Sequence, residues 1–272
     1  MSQNTHTRAH LVAGGFPAGA TAGHDMDYAR LRLLQMLNDT GSIITTVSSD
    51  FVDIERWLPT CRLLVTYVAG PFPDTDQCTA LHDWLAGGGR WIALHGTSGG
   101  KAARIPDSRN RKMVKMDHHR ELGCFFLNHP PLRGFSVEVN KHPLTEGVPS
   151  SFDVVDELYM IELQDSDMQI LLTTELDHDP SPKGFGFVYD KDTSLREDGK
   201  TRVLGYLKTV GEGSVIYYGL GHCHTPESNF QRVVDESIAK DGTVPLEFRG
   251  PWETDAFQKL LQNAIEWSTA SV

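Results

Sequence analysis

The sequence predicts an α/β protein built on a parallel sheet. Two observations predict it. In the first half, short apolar runs alternate with segments of helical period, the pattern of consecutive βαβ units. Three of the strand-like runs in the chain lead into histidines: residues 8–15 precede His24, Arg90-Trp-Ile-Ala-Leu94 precedes His95, and residues 214–221 precede His222. In an open α/β sheet the loops after the carboxyl ends of strands build the ligand site, so three imidazoles so placed point to one polar reaction centre.

Taken in order, residues 9–13 read as a strand and 26–37 as a helix, with Leu31, Leu34, Met36 and Leu37 at helical spacing. Strands follow at 43–47, rich in β-branched residues, and at 62–68, with Leu63, Leu64 and Val65 in one run. A helix over 74–85 starts at Asp74, a good N-cap, and stops at Gly87-Gly88-Gly89, since glycine accepts the left-handed conformation of a helix end. Residues 90–94 form the fourth strand. Residues 97–133 break the rhythm and are rich in Lys, Arg and His. They read as an excursion over the carboxyl edge with one short helix, because long irregular segments in compact domains tend to be functional. Strands are then expected at 135–139, 154–162, 169–174, 185–189, 203–208 and 215–218, with a charged hairpin tip at 190–200. A helix over 252–267 closes the chain, with Phe257, Leu260, Leu261, Ala264 and Ile265 on one face. Trp57, Trp84 and Trp267 read as core, and Trp252 as core or pocket rim. There is no internal repeat and no linker, so residues 1–272 are expected to form a single domain with an insertion at about 97–133.

The chain is 39% hydrophobic and 22% charged, with a net charge of −11. That balance argues against a nucleic-acid surface, which needs a basic stripe, and against docking on anionic membranes. The expected partner is a small molecule; oligomeric state is left open. No run reaches the ~18–20 apolar residues of a membrane span, and residues 1–8 lack the apolar core of a signal peptide. The four cysteines, Cys61, Cys78, Cys124 and Cys223, show no C-x-x-C spacing. A reducing cytoplasm is therefore the expected location.

Several motifs occur together: His129-Pro130, His142-Pro-Leu-Thr-Glu-Gly-Val-Pro149, Phe152, Asp156-Glu-Leu-Tyr159, and Gly211-Glu-Gly-Ser-Val-Ile-Tyr-Tyr-Gly-Leu-Gly-His222. With Gly14-Gly15, His24-Asp25 and Leu94-His95-Gly96, the set resembles the ThuA-like (trehalose-utilisation) family of the class I glutamine-amidotransferase-like superfamily, over about residues 10–268. The resemblance implies a flavodoxin-like parallel sheet with helices on both faces and extra antiparallel strands. It also implies a link to disaccharide or oxidised-sugar catabolism. The basic stretch Lys101–Arg120 and the charged stretch Leu195–Arg202 depart from the simplest family pattern.

A class I amidotransferase needs a cysteine at the strand-to-helix turn. The matching turn, Leu94-His95-Gly96-Thr97-Ser98, has none, so glutaminase activity is not expected. Gly96-Thr-Ser-Gly-Gly100 fits the G-x-S-x-G elbow of serine hydrolases, or is simply a glycine-rich turn. His95, His222, Asp156 and Glu157 are the candidate acid–base residues. Asp156 and Glu157 are adjacent on a strand and face opposite ways, so only one can reach the pocket. Gly15, Asp25, Gly96, His129 and Tyr159 are candidates for substrate binding. His24, His95 and His222 are candidates to hold a divalent metal, zinc or manganese. His142 reads as a turn residue and His118-His119 as part of a solvated loop. The leading expectation is an enzyme of sugar catabolism, a lyase, isomerase or hydrolase acting on a carbohydrate or keto-sugar by histidine and carboxylate chemistry with metal assistance. The alternatives are a non-catalytic carbohydrate-binding or regulatory module, and a serine hydrolase using Ser98.

Overall fold

The computed structural model describes residues 6–270. In chain order the elements are strand β1 (Thr7–Gly15), helix α1 (Met26–Asp39), β2 (Ile43–Ser48), α2 (Ile54–Trp57), β3 (Leu63–Ala69), α3 (Thr75–Ala86), β4 (Arg90–Leu94), β5 (Lys101–Arg104), β6 (Arg111–Val114), α4 (His118–Leu122), β7 (Cys124–Asn128), β8 (Arg133–Val139), β9 (Ser151–Asp156), β10 (Met160–Leu163), β11 (Met168–Glu175), β12 (Thr201–Val210), β13 (Gly213–Tyr218) and α5 (Asp255–Thr269).

One nine-stranded sheet organises the molecule, in the order β2-β1-β3-β4-β13-β12-β11-β8-β9. The first five strands are parallel, and the other four add on antiparallel. The five expected parallel strands are therefore all present. Side chains alternate across the sheet, as strand geometry requires. Leu11, Val65, Ile92 and Ile216 pack with α1 and α5 on one face, while Val12, Leu64, Trp91 and Val215 pack with α2 and α3 on the other.

The helix ends follow the sequence. Asp74 caps α3: its carboxylate accepts from Gln77 N, and the Gln77 side chain returns to the Asp74 N–H, closing a capping box. In α5, Phe257, Leu260, Leu261, Ala264 and Ile265 form the buried stripe; Phe257 is fully buried, a gain of roughly 1.5–3 kcal/mol over exposure. α5 starts at Asp255 with Thr254 as N-cap. Trp252 lies in the 3-10 turn before it and is the fully buried tryptophan of that end. Trp57, Trp84 and Trp267, expected in the core, are only half-buried.

Three further expectations are corrected. The strand expected over 154–162 breaks at Glu157: β9 ends at Asp156 in the main sheet, and β10 pairs with β7 in a separate ribbon. Residues 185–189 form no ladder beyond one bridge between Arg111 and Phe187, because Gly184 just before them and Gly186 among them take left-handed φ values of 83° and 65° and interrupt an extended run. His118 and His119 are buried in α4, with His118 stacked on Phe72 and His119 bonded to the carbonyls of Ser98 and Gly99.

Candidate active site

The carboxyl ends of β1, β4 and β13 open on the same edge, and His24, His95 and His222 follow them. Glu157 arrives from the opposite end of the sheet order, where the chain leaves β9. These four residues converge: one ligand atom from each lies within 4.8 Å of all the others. Glu157 Oε2 is 3.3 Å from His95 Nε2, 3.3 Å from His222 Nδ1 and 4.0 Å from His24 Nε2.

Hydrogen bonding fixes each ring. A carbonyl oxygen only accepts, so the nitrogen facing it carries the proton. His95 Nδ1 donates to Gly219 O at 2.8 Å, and His24 Nδ1 donates to Ala22 O at 3.0 Å. Both therefore turn an unprotonated Nε2 inward. His224 Nε2 donates to Pro245 O at 2.9 Å, which leaves His224 Nδ1 to accept from His222 Nε2 at 2.9 Å. His222 accordingly turns an unprotonated Nδ1 inward. Among the described residues, these three inward nitrogens are buried and have no hydrogen-bond partner. Buried polar atoms are rarely left so, and three lone pairs aimed at one carboxylate oxygen form a donor set suited to a cation.

Electrostatics agree with that reading. Burial, and secondarily the charge of neighbouring imidazoles, holds His24 well below the ordinary imidazole range; burial likewise lowers His222. Burial alone would push the Glu157 carboxyl up, but the imidazoles around it, His129 and His222 foremost, outweigh it and hold Glu157 well below the usual carboxylate range. Neutral imidazoles beside an ionised carboxylate are the protonation states that metal ligands need.

Glu157 also has a second side. Its Oε1 accepts from Gln231 Nε2 at 2.5 Å and lies 3.7 Å from His129 Nε2. His129 comes from the end of the 97–133 excursion, as expected, and its Nδ1 donates to Pro130 O at 2.8 Å. It is the more exposed imidazole here, at 15% against 0–9% for the three converging rings. Tyr159 stacks on His95 at 3.9 Å and on His129 at 5.6 Å.

The other candidates shape the site without facing its centre. Asp156 points away: its carboxylate accepts from the backbone N–H groups of Gly221, His222 and Glu157 at 2.7, 3.0 and 2.8 Å. It is a brace, and so is not the carboxylate that meets the histidines. The Gly221 carbonyl is held in turn by Tyr67 OH and Trp252 Nε1, which settles Trp252 as a buried support rather than a rim. Asp25 caps α1 and pairs with Arg249 at 2.6 Å. At Gly96 a Cβ would stand 2.6 Å from Val68 O, and at Gly15 it would stand 2.4 Å from Ala20 O; both glycines allow close backbone packing. His95 itself adopts a left-handed φ of 44°, a strain typical of functional turns. His142 caps its own turn by accepting from Leu144 N.

Ser98 does not stand as a nucleophile. Its Oγ is fully buried, donates to His95 O at 3.1 Å and meets Tyr217 OH at 2.8 Å. Among the described residues, neither His24 nor His222 bonds to it. The cysteines are equally unsuited, since burial pushes the Cys223 and Cys124 thiols up to about 12. Two residues of the site were missed in the sequence, His224 as a support and Gln231. His224 carried a signal, the His222-x-His224 spacing; Gln231 carried none.

Residues 18–239 match the family described as ThuA, trehalose utilisation. The chain belongs to the ThuA family. Its setting is accordingly sugar metabolism. Solved structures agree on the fold: a ThuA-like protein from Bacteroides uniformis is 18% identical with a TM-score of 0.61, covering 98% of this chain and 93% of that one. A ThuA-like protein from Parabacteroides merdae is 18% identical with a TM-score of 0.57, at the same coverage of 98% and 93%. A cold-adapted β-galactosidase from Rahnella is 12% identical with a TM-score of 0.50, over 79% of this ThuA chain and 28% of that chain. At these identities the likeness concerns fold alone. No curated protein matches the sequence. Among the described residues, no helix of this ThuA protein is long and apolar enough to cross a membrane.

Proposed function

We propose that this ThuA protein is an enzyme of sugar catabolism whose reaction centre is a divalent-metal site formed by His24, His95, His222 and Glu157. The observation that carries the reading is the convergence of three unprotonated, partnerless ring nitrogens on Glu157 Oε2. Zinc suits three imidazoles and a carboxylate, and manganese suits the same set with added oxygen ligands. The bound metal would polarise a carbonyl or hydroxyl oxygen of the substrate or activate water.

The chain's own residues supply the rest. His129 is fixed by Pro130 O so that Nε2 faces the centre, which makes it the proton donor and acceptor next to the substrate. Gln231 keeps Glu157 Oε1 occupied and the carboxylate oriented. Tyr159 stacks between His95 and His129 and fixes the distance between ligand and base. Two aromatic groups stand beside the centre: Phe185 is edge-on to His129 at 5.7 Å, and Phe230, 71% exposed, lies close enough to Gly23 that a Cβ there would meet it at 3.4 Å. A few fixed polar groups beside aromatic rings suit a polyhydroxylated ring with apolar C–H faces. Proton transfer at a keto-sugar, in a lyase, isomerase or hydrolase step, uses these tools.

The strand order β2-β1-β3-β4-β13 supports a flavodoxin-like core, whose parallel strands run 2-1-3-4-5. Four free cysteines favour a reducing cytoplasm. Metal analysis of the purified protein, followed by a screen of disaccharides and their keto derivatives before and after chelation, tests the reading. Stoichiometric zinc or manganese with chelator-sensitive turnover is expected. A protein that binds sugar with no turnover and no metal would favour a carbohydrate-binding module instead.

A further inference from the structure

His222 differs from the other two converging histidines. His24 and His95 are anchored through Nδ1 by backbone carbonyls and turn Nε2 inward. His222 turns Nδ1 inward and is anchored through Nε2 by another side chain, His224. His224 is fully buried, and its backbone is locked by reciprocal bonds with Phe248, N to O at 2.9 Å in both directions.

From this arrangement we infer that His224 is the positioning residue of the centre, setting the polarity of His222 so that its Nδ1 stays free to bind a metal. The inference rests on the metal-site reading above and deepens it. The competing arrangement is a real one. With no cation bound, a proton on His222 Nδ1 would face the carboxylate oxygen of Glu157, 3.3 Å away, an attractive charge-assisted contact. His222 Nε2 would then have to accept from His224 Nδ1. That would strip the proton from His224 Nε2 and leave its lone pair against Pro245 O, 2.9 Å away. Two acceptors facing each other in a buried place are costly. The Pro245 carbonyl, which can only accept, therefore dictates the whole relay: His224 Nε2–H to Pro245 O, His222 Nε2–H to His224 Nδ1, His222 Nδ1 bare. Outer partners of this kind typically change metal affinity 10–100-fold when removed.

The test uses the full chain and three variants. His224→Ala removes the acceptor, His224→Phe removes it while keeping ring volume, and His224→Asn restores an acceptor oxygen near the Nδ1 position. Calorimetric titration of the metal-free proteins with zinc should show a loss of about 10–100-fold for His224→Ala and His224→Phe, with His224→Asn recovering most of it. Melting temperatures of the metal-free proteins are measured alongside, and His224→Phe carries the comparison if His224→Ala does not fold. Long-range proton–nitrogen NMR of metal-free wild type should show His222 protonated on Nε2. Wild-type affinity in both His224→Ala and His224→Phe, or a proton on His222 Nδ1, would overturn the assignment. If wild type binds no zinc, the metal-site reading falls, while the NMR measurement still decides the role of His224.

Discussion

Asp156 and Glu157 are neighbours in sequence and do opposite work. The Asp156 carboxylate accepts three backbone N–H groups, two of them from Gly221 and His222, whereas Glu157 Oε2 stands 3.3 Å from the ring nitrogens of both His95 and His222. Substitution should separate them. Glu157→Gln is expected to reduce metal affinity and turnover by at least tenfold with little change in melting temperature. Asp156→Ala leaves buried N–H donors without partners, at roughly 1–3 kcal/mol for a donor left unsatisfied, and should appear first in thermal melts. Equal loss of stability in both variants would contradict this division.

Ser98 provides a second separation. Its hydroxyl joins Tyr217 OH to His95 O, so Ser98→Ala should lower stability by about 1 kcal/mol and leave zinc binding and turnover within a few-fold of wild type. Loss of all turnover in a folded Ser98→Ala protein would restore the serine-hydrolase reading.

Stability should fall in mild acid. Burial lowers His10 to about 4, and lowers His118 well below the ordinary imidazole range and His119 below it. The unfolded chain takes up protons on these rings below about pH 6.5 while the folded chain does not, so stability is full above that pH and is lost as pH falls toward 4. His10 stacks on Trp57 away from the site. A His10→Phe variant should keep that stacking and flatten the slope of melting temperature against pH over this window. An unchanged slope would show that His10 titrates normally.

The two aromatic groups beside the centre give a fourth expectation. Phe230→Ala and Phe185→Ala should raise KM for the sugar substrate by about 2–10-fold each, the range of roughly 0.5–1.5 kcal/mol for an aromatic contact, with metal content unchanged. Phe230→Tyr should behave as wild type. A change confined to kcat would place these rings outside the substrate path.

The parallel core and the three convergent histidines were legible because both follow from strand order along the chain. Apolar runs end in glycine and histidine, and strand ends share an edge. Glu157 was legible only as one of a pair, since strand parity says that neighbours diverge but not which one faces inward. What decided it was the chain leaving the main sheet at Asp156, a tertiary event without a local signature. The same limit explains His118 and His119, whose polar sequence surroundings gave no sign that Phe72 and the Ser98 and Gly99 carbonyls would bury them. The tautomers of His24, His95 and His222 depend on carbonyls at Ala22 and Gly219 and on a second histidine, and such pairings exist only once the loops have packed.

His24 follows the first strand of the sheet and His222 the last of its parallel strands. The donor set is thus spread over about 200 residues, from His24 to His222, and a ribosome must add all of them before the final imidazole exists. A nascent chain can lay down β1 through β13 yet hold only two of the three rings. Loading of the proposed site with a cation would in consequence be a late event of biosynthesis, governed by the ion supply the folded protein meets and not by the one surrounding it during translation.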